Sequence, residues 1–497
     1  VDSMRQHNRT KQTGVSRRAY MAASGLATVT FGAFGSGSVG ADGETRESDE
    51  SFDPGTSRTL ITNGTIVTVD PDLGIIQNGD ILVEDGCISE IGDSIDVSGV
   101  ETIDATDSIV VPGFVNTHLH AWQAGVRGVA GDWSFNEYLE TMLGEISSHY
   151  RPTDAYLGNL FGAVEQLNAG TTTILDWFHI ANSPGHTNRA IDGLEDAGIR
   201  AVFAHGPPGD DSATWWEEST EPHPDDIERL HQTRFPSDDG LLTLAMGIRG
   251  PDYATDEVVA RDIELARELD IPASMHIGSL GSGGVSTLEE LGLLGDDLNY
   301  VHANRLTETE FDLIGDSGGS VSITPEVEMQ MGMGMPVLRE TLESGGIPSI
   351  GVDIVSNVSG DMFTQTRTAL QVERALDNQP AVDDNEQIET VSIAAQRALE
   401  LATIDGARAL GLEDEIGSLT PGKRADITLI RTNDINTSPV YDPVETVVFQ
   451  AGTGNVDTVL VDGTVVKRDG VLYNEPARTR QHDLIESGRR ILRESGL

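Results

Sequence analysis

His118 and His120 close the run Val110-Val111-Pro112-Gly113-Phe114-Val115-Asn116-Thr117-His118-Leu119-His120. Residues two apart on a strand share a face, so both imidazoles can be presented to one metal ion. The spacing alone is equally compatible with two ordinary half-buried histidines. Other ligand-type residues also end apolar runs: His276 in Ser274-Met275-His276-Ile277, His302 in Tyr300-Val301-His302-Ala303-Asn304, and Asp353 in Ser349-Ile350-Gly351-Val352-Asp353. Each has a plainer reading, a satisfied core histidine for the first two and a helix N-cap for Asp353.

The elements that must position these groups alternate along the chain. Apolar strands are predicted at Ile109–Thr117, Thr172–Phe178, Ala201–His205, Leu242–Ile248, Ala273–Ile277, Asn299–His302, Ser320–Thr324 and Ser349–Val355. Helical stretches lie between them, among them Thr153–Ala169, Thr255–Leu269 and Thr307–Asp316. The last opens on the capping-box pattern Thr307-x-x-Glu310. Eight strands with intervening helices make an α/β fold, a (β/α)8 barrel over 109–411, whose reactive groups sit at the C-terminal strand ends. On that reading His118, His120, His276, His302 and Asp353 converge on one mouth. Gln123, Trp122, His179, His205, Arg249 and the cluster Met329, Met331, Met333 and Met335 are further candidates for lining it.

Short strands with turns precede the barrel, from Thr59 to Asp104, and others follow it, through Val444–Gln450 and Thr458–Val466. Segments 58–108 and 412–475 therefore read as two halves of one small composite β-sandwich, with a terminal helix at 476–497. A single helix is predicted over Ser392–Leu410. The Pro- and Asp-rich insertion Gly206–Asp239, with Trp215-Trp216, reads either as a lid or as a disordered surface loop.

The first run, continuing as Ala121-Trp122-Gln123 and Arg127-Gly128, resembles the amidohydrolase superfamily, in particular its cytosine-deaminase-like and triazine-hydrolase-like branch. The turn Glu415-Ile416-Gly417-Ser418-Leu419-Thr420-Pro421-Gly422-Lys423-Arg424-Ala425-Asp426-Ile427 resembles the C-terminal signature of the same enzymes. The likeness spans about residues 58 to 475. It implies one divalent ion, zinc or iron, on His118, His120, His276 and Asp353, with room left for a water. It further implies that metal-bound hydroxide attacks a carbon–nitrogen bond other than a peptide bond, with Asp353 taking the proton and His302 polarising the substrate. Deamination of a cyclic amidine or nitrogen heterocycle is the expected reaction. A dimetal site bridged by a carboxylated lysine does not apply, because no lysine occurs between Lys11 and Lys423.

Two departures matter. Relatives carry a glutamate three residues after the strand-5 histidine as a proton shuttle, and Ser279 stands there instead. A serine hydroxyl of normal acidity does not replace a carboxylic acid. Where relatives show Pro-x-Ser-Asn, this chain reads Pro325-Glu326-Val327-Glu328, so Glu328 becomes the candidate proton carrier. The alternatives are amide or lactam hydrolysis, loss of another ring substituent, or an exported binding protein without turnover.

Composition adds bounds. The 497 residues hold 81 acidic against 32 basic side chains, a net charge of −49, of the haloarchaeal type that strong salt would screen. That charge argues against nucleic acid or an anionic membrane as partner and leaves a small molecule, while the family resemblance implies that a homodimer is possible. Cys87 alone excludes an intrachain disulfide. Arg17-Arg18, a modestly apolar stretch to Ala41 and Val39-Gly40-Ala41 read as a twin-arginine export signal over 1–41, without membrane insertion, followed by an acidic linker over 42–57.

Overall fold

Residues 58–497 are described by the structure, a computed structural model. The expected export signal and acidic linker lie outside the described residues. No helix among the described residues is long and apolar enough to cross a membrane.

Five strands come first: β1 (Arg58–Val67), β2 (Ile75–Glu84), β3 (Cys87–Gly92), β4 (Glu101–Asp104) and β5 (Ser108–Pro112). Eight parallel strands follow: β6 (Phe114–Leu119), β7 (Thr171–Phe178), β8 (Arg200–His205), β9 (Leu242–Ile248), β10 (Ala273–Ile277), β11 (Leu298–His302), β12 (Ser320–Ile323) and β13 (Ile347–Ile350). They pair in sequence order, and helices separate them, as parallel pairing requires. Their residues are almost all buried, which is why they read as unbroken apolar runs rather than alternating ones. Each fully buried Ile, Leu or Phe in such a run contributes about 1.5–3 kcal/mol.

The barrel interior below the mouth is polar but satisfied. Asn299 Nδ2 donates to Ser320 and Ser322 Oγ at 3.0 Å each, and Ser322 Oγ donates to Thr117 Oγ1 at 2.9 Å. Thr117 in turn reaches Ser349 Oγ at 2.9 Å across the seam between β6 and β13. Partners for every member are what make such a network tolerable in a low-dielectric core. The seam itself is completed by a parallel bridge between Leu119 and Asp353.

The run expected as one strand over Ile109–Thr117 is two. Ser108–Pro112 hydrogen-bonds with β1 and with β14 (Ile427–Arg431), whereas Phe114–Leu119 enters the barrel. The break falls at Gly113, where an added Cβ would lie 2.1 Å from Thr172 Oγ1, directly after a proline that lacks a backbone donor. Beyond β14, β15 (Val456–Val461), β16 (Thr464–Arg468) and β17 (Val471–Leu472) extend the same sheet. Both ends of the described chain thus build one nine-stranded mixed sheet, which forks at β1: Thr59–Thr62 pairs with β4 and Thr65–Ile66 with β5.

The helix expected over Ser392–Leu410 is likewise two, Ala395–Leu401 and Ile404–Ala409. Thr403 Oγ1 donates back to the Leu399 carbonyl at 2.7 Å, and the carbonyl of Ala402 is released to accept from the Val115 N–H at 2.9 Å. The insertion 206–239 is ordered and carries two short helices, Ser212–Trp216 and Asp226–Thr233. It is pinned where His205 Nδ1 meets His223 Nε2 at 2.9 Å and where the His223 N–H donates to Asp262 at 3.0 Å. The terminal helix, Glu475–Glu494, packs on Pro152–Asn168 through Arg490 and Asp154.

Candidate metal centre and the pocket above it

His118 and His120 leave the end of β6 on one face, as their spacing demands. Asp353 lies just past β13, His276 near the end of β10 and His302 at the end of β11. All five converge. His118 Nε2 is 3.3 Å and His120 Nε2 3.5 Å from Asp353 Oδ1. The His118 and His276 rings are 4.9 Å apart, centroid to centroid, and those of His118 and His302 5.7 Å. Ligand atoms of His118, His120 and Asp353, and of His118, His276 and His302, each fall within 4.8 Å of one another.

Both ring nitrogens of His118 and Nδ1 of His276 are buried without a hydrogen-bond partner among the described residues. Buried polar atoms are paired as a rule, so this group of orphaned lone pairs around a carboxylate fits a divalent cation. His120 Nδ1 donates to the Trp177 carbonyl at 2.6 Å, which leaves the Nε2 lone pair facing Asp353. Burial holds the imidazoles neutral: it pushes His120 down to about 3, with help from His118, and lowers His118, His179 and His276 well below the usual histidine range. Neutral imidazole is the form that binds metal. Burial raises Asp353, against the opposing pull of His302 and His120.

Two of these residues sit in the left-handed region, His302 at φ 72° and Asp353 at φ 69°. Such conformations are uncommon outside glycine and cluster where a side chain must be aimed.

Glu328, in the helix Pro325–Gln330, lies behind His302 rather than in the pocket. Its Oε1 accepts from the Thr324 N–H at 2.7 Å and is 3.4 Å from His302 Nδ1. Burial alone would lower His302, but the hydrogen bond it donates to Glu328 and the charges of Asp353 and Glu328 outweigh it and raise the group. Between Glu328 and the pocket stands the His302 ring. Ser279 is buried with its hydroxyl unpartnered, and it too stays out of the lining.

Other expected lining residues divide. His179 lines the pocket, stacked on His120 at 4.0 Å, and its Nδ1 accepts from Trp122 Nε1 at 3.0 Å. Met331 and Met333 line it too, whereas Met335 is 53% exposed. Gln123 stands one layer back, donating to Tyr138 OH at 2.7 Å, and Arg249 is locked to Asp262 at 2.9 Å. His205 faces His223 instead of the mouth.

The sequence reading missed Phe135, Tyr138 and Tyr253 and placed Trp216 only on a candidate lid, all on segments that follow strand ends. It also missed Asp176 in β7, whose carboxylate accepts from the Ala121 N–H at 3.0 Å and from Asn159 at 2.5 Å. Those bonds hold the turn just after His120, and burial pushes Asp176 up to about 7. An acid inside the otherwise apolar run Ile174–Phe178 was the available signal.

A parallel barrel with imidazoles and one carboxylate gathered at its C-terminal mouth defines a hydrolase-type scaffold built to hold a divalent ion. The chain belongs to the Amidohydrolase family, which it matches over residues 109–466. It is 30% identical over 424 residues to a 5'-deoxyadenosine deaminase of Methanosarcina mazei, covering 82% of this chain and 93% of that protein. In structure it resembles a zinc-bound adenosine deaminase from Xanthomonas campestris, with TM-score 0.75, 24% identity, and 87% and 98% of the two chains covered. It also resembles a mutant atrazine chlorohydrolase from Arthrobacter aurescens complexed with zinc and atraton, with TM-score 0.76, 21% identity, and 86% and 100% covered.

Proposed function

We propose that the protein deaminates an amino-substituted nitrogen heterocycle, replacing an exocyclic amine by the oxygen of water and releasing ammonia. The observation that carries this reading is the set of unpartnered buried nitrogens on His118 and His276 around Asp353, beneath an aromatic pocket. The deaminase activity of the relatives supports it.

We assign the ion to His118, His120, His276 and Asp353. Zinc or iron bound there supplies Lewis-acid activation of water. Asp353 takes the proton that water gives up and passes it toward the substrate. His302 Nε2, 3.9 Å from Asp353 Oδ2, is the next group along that route. With Glu328 behind its Nδ1, His302 is held so that Nε2 faces the reacting atoms. Together these groups replace the shuttle that Ser279 lacks.

Ammonia release by metal-loaded protein over purines, pyrimidines and triazines, lost on chelation and restored by one equivalent of ion, tests the reading. A metal-bound preparation that turns over none of these would overturn it. The altered position at Ser279 favours one second reading, removal of a different ring substituent or opening of an amide or lactam without protonation of a ring nitrogen. Analysis of products other than ammonia separates the two. The Arg17-Arg18 motif supports export in the folded state, which fractionation of cells tests.

A further inference from the structure

We propose that His179 is a substrate-binding residue whose Nε2–H is a fixed donor to a lone pair on the substrate, and that Trp122 is the positioning residue that fixes it. This rests on the reading of the cavity as the seat of the reaction, but not on which bond is broken there.

His179 follows β7 directly and lines the cavity. The Trp122 indole has a hydrogen to give and no lone pair to accept with, and its Nε1 lies 3.0 Å from His179 Nδ1. Nδ1 is therefore the bare nitrogen, and the ring hydrogen sits on Nε2. A second hydrogen on Nδ1 would point at that of the indole, so the same contact keeps the ring neutral.

The ring is also held in its plane. It lies parallel to His120 at 4.0 Å between centroids, and Trp177 and Trp216 pack edge-on to it at 5.5 Å and 5.8 Å. Turning it over would set a carbon in place of Nδ1 and forfeit the indole bond. Trp122 is fixed in turn. It is wholly buried and T-stacked on Tyr150 at 4.8 Å, and its carbonyl accepts from Tyr150 OH at 3.2 Å.

Nε2 lies on the ring edge away from Trp122. It has no hydrogen-bond partner among the described residues, and it is not sealed in as both nitrogens of His118 and the indole N–H of Trp216 are. What meets it is the content of the cavity. Tyr138 and Tyr253 also bring polar groups to the wall, but a phenol both gives and accepts a hydrogen bond and adapts to either partner. His179 can only donate, so it tells a lone pair from an N–H or C–H at one edge of the bound ring. A site built on such a bond rejects the analogue that lacks the partner, because the donor is left buried and unpaired.

The probes are adenine and its 1-, 3- and 7-deaza analogues, each of which exchanges one ring nitrogen for C–H. Binding to the metal-loaded protein is measured by calorimetry, with ammonia release in parallel. At least one analogue is expected to bind about tenfold more weakly than adenine. His179→Phe keeps the stack on His120 and removes the donor. It should retain bound metal in elemental analysis, bind adenine about tenfold more weakly and leave that analogue unchanged, so that the two are no longer distinguished. Trp122→Phe removes the indole hydrogen. It should shrink the discrimination about threefold or more, and nitrogen-15 spectra of the histidines should show the His179 hydrogen shared between its two nitrogens. Equal binding of all four compounds by the wild type, binding of none, or discrimination that survives in His179→Phe overturns the proposal. So does loss of metal from His179→Phe with all four weakened alike, which would make the ring a support for His120. Discrimination that disappears in His179→Phe, with no ammonia released by the wild type, upholds the proposal and overturns the deaminase reading instead.

Discussion

Asp353 and His118 are bonded main chain to main chain, and that bond sets their side chains beside each other. The Asp353 N–H donates to the His118 carbonyl at 2.9 Å, and Asp353 Oδ1 lies 3.3 Å from His118 Nε2. The Asp353 carbonyl also accepts from the His120 N–H at 2.8 Å. Closing the barrel and assembling the ligand set are therefore one event.

Because backbone atoms make the closure, Asp353→Asn keeps the barrel but removes a ligand and a base. Activity is expected to fall by about 10²–10⁴-fold, with bound metal reduced in elemental analysis and the circular dichroism spectrum unchanged. Chelation of the wild type should lower its melting temperature, because a ligand that binds only the folded state stabilises it.

Glu328→Gln preserves shape and the bond to the Thr324 N–H while deleting the charge beside His302. A kcat loss of about tenfold or more with KM nearly unchanged is expected. Glu328 raises His302 in the folded protein, so the limb of the pH–rate profile that reports His302 should move to lower pH. An unmoved profile with full activity would remove Glu328 from the machinery.

Asp176 is raised to about 7 by burial, from an ordinary value of 3.8. The folded state thus holds this proton more tightly than the unfolded chain, and the stability it contributes is complete below 3.8 and lost as pH rises through 7. The full swing is at most roughly 4 kcal/mol. Asp176→Asn removes it, so the melting temperature of the variant relative to wild type should rise between about pH 4 and pH 7. A constant difference across that range would show the carboxylate to be ionised throughout.

With 81 acidic against 32 basic side chains, repulsion across the surface should make the melting temperature climb steadily with added potassium chloride, from about 0.1 M to molar concentrations. A flat response would remove the hypersaline reading of the charge.

The gathering of these side chains at one mouth was legible because strands write it plainly. Period-two spacing placed His118 and His120 together, and His276, His302 and Asp353 each end an apolar run. The composite sheet was legible from short strands at both ends of the described chain, although Val444–Gln450, read as a strand, is helical. Trp216, Tyr138 and Tyr253 were not legible, because the loops that carry them have no periodicity to show which side chain turns inward. Glu328 could be placed near the mouth by counting from β12, yet only the helix that starts at Pro325 reveals that it stands behind His302. The split at Gly113 was hidden because a run from Ile109 to Thr117 is apolar on either side of the break, and Pro112 was its one mark.

That split ties the mouth of the barrel to a distant part of the chain. β5 ends six residues before His118, and it is held by β14, some three hundred residues later. During synthesis the first two ligands exist long before the strand that anchors them, and Asp353 too emerges before Ile427. Assembly of the cluster by the growing polypeptide should therefore be a late step, begun by barrel closure at Asp353 and secured only when residues 427–431 emerge to hold β5.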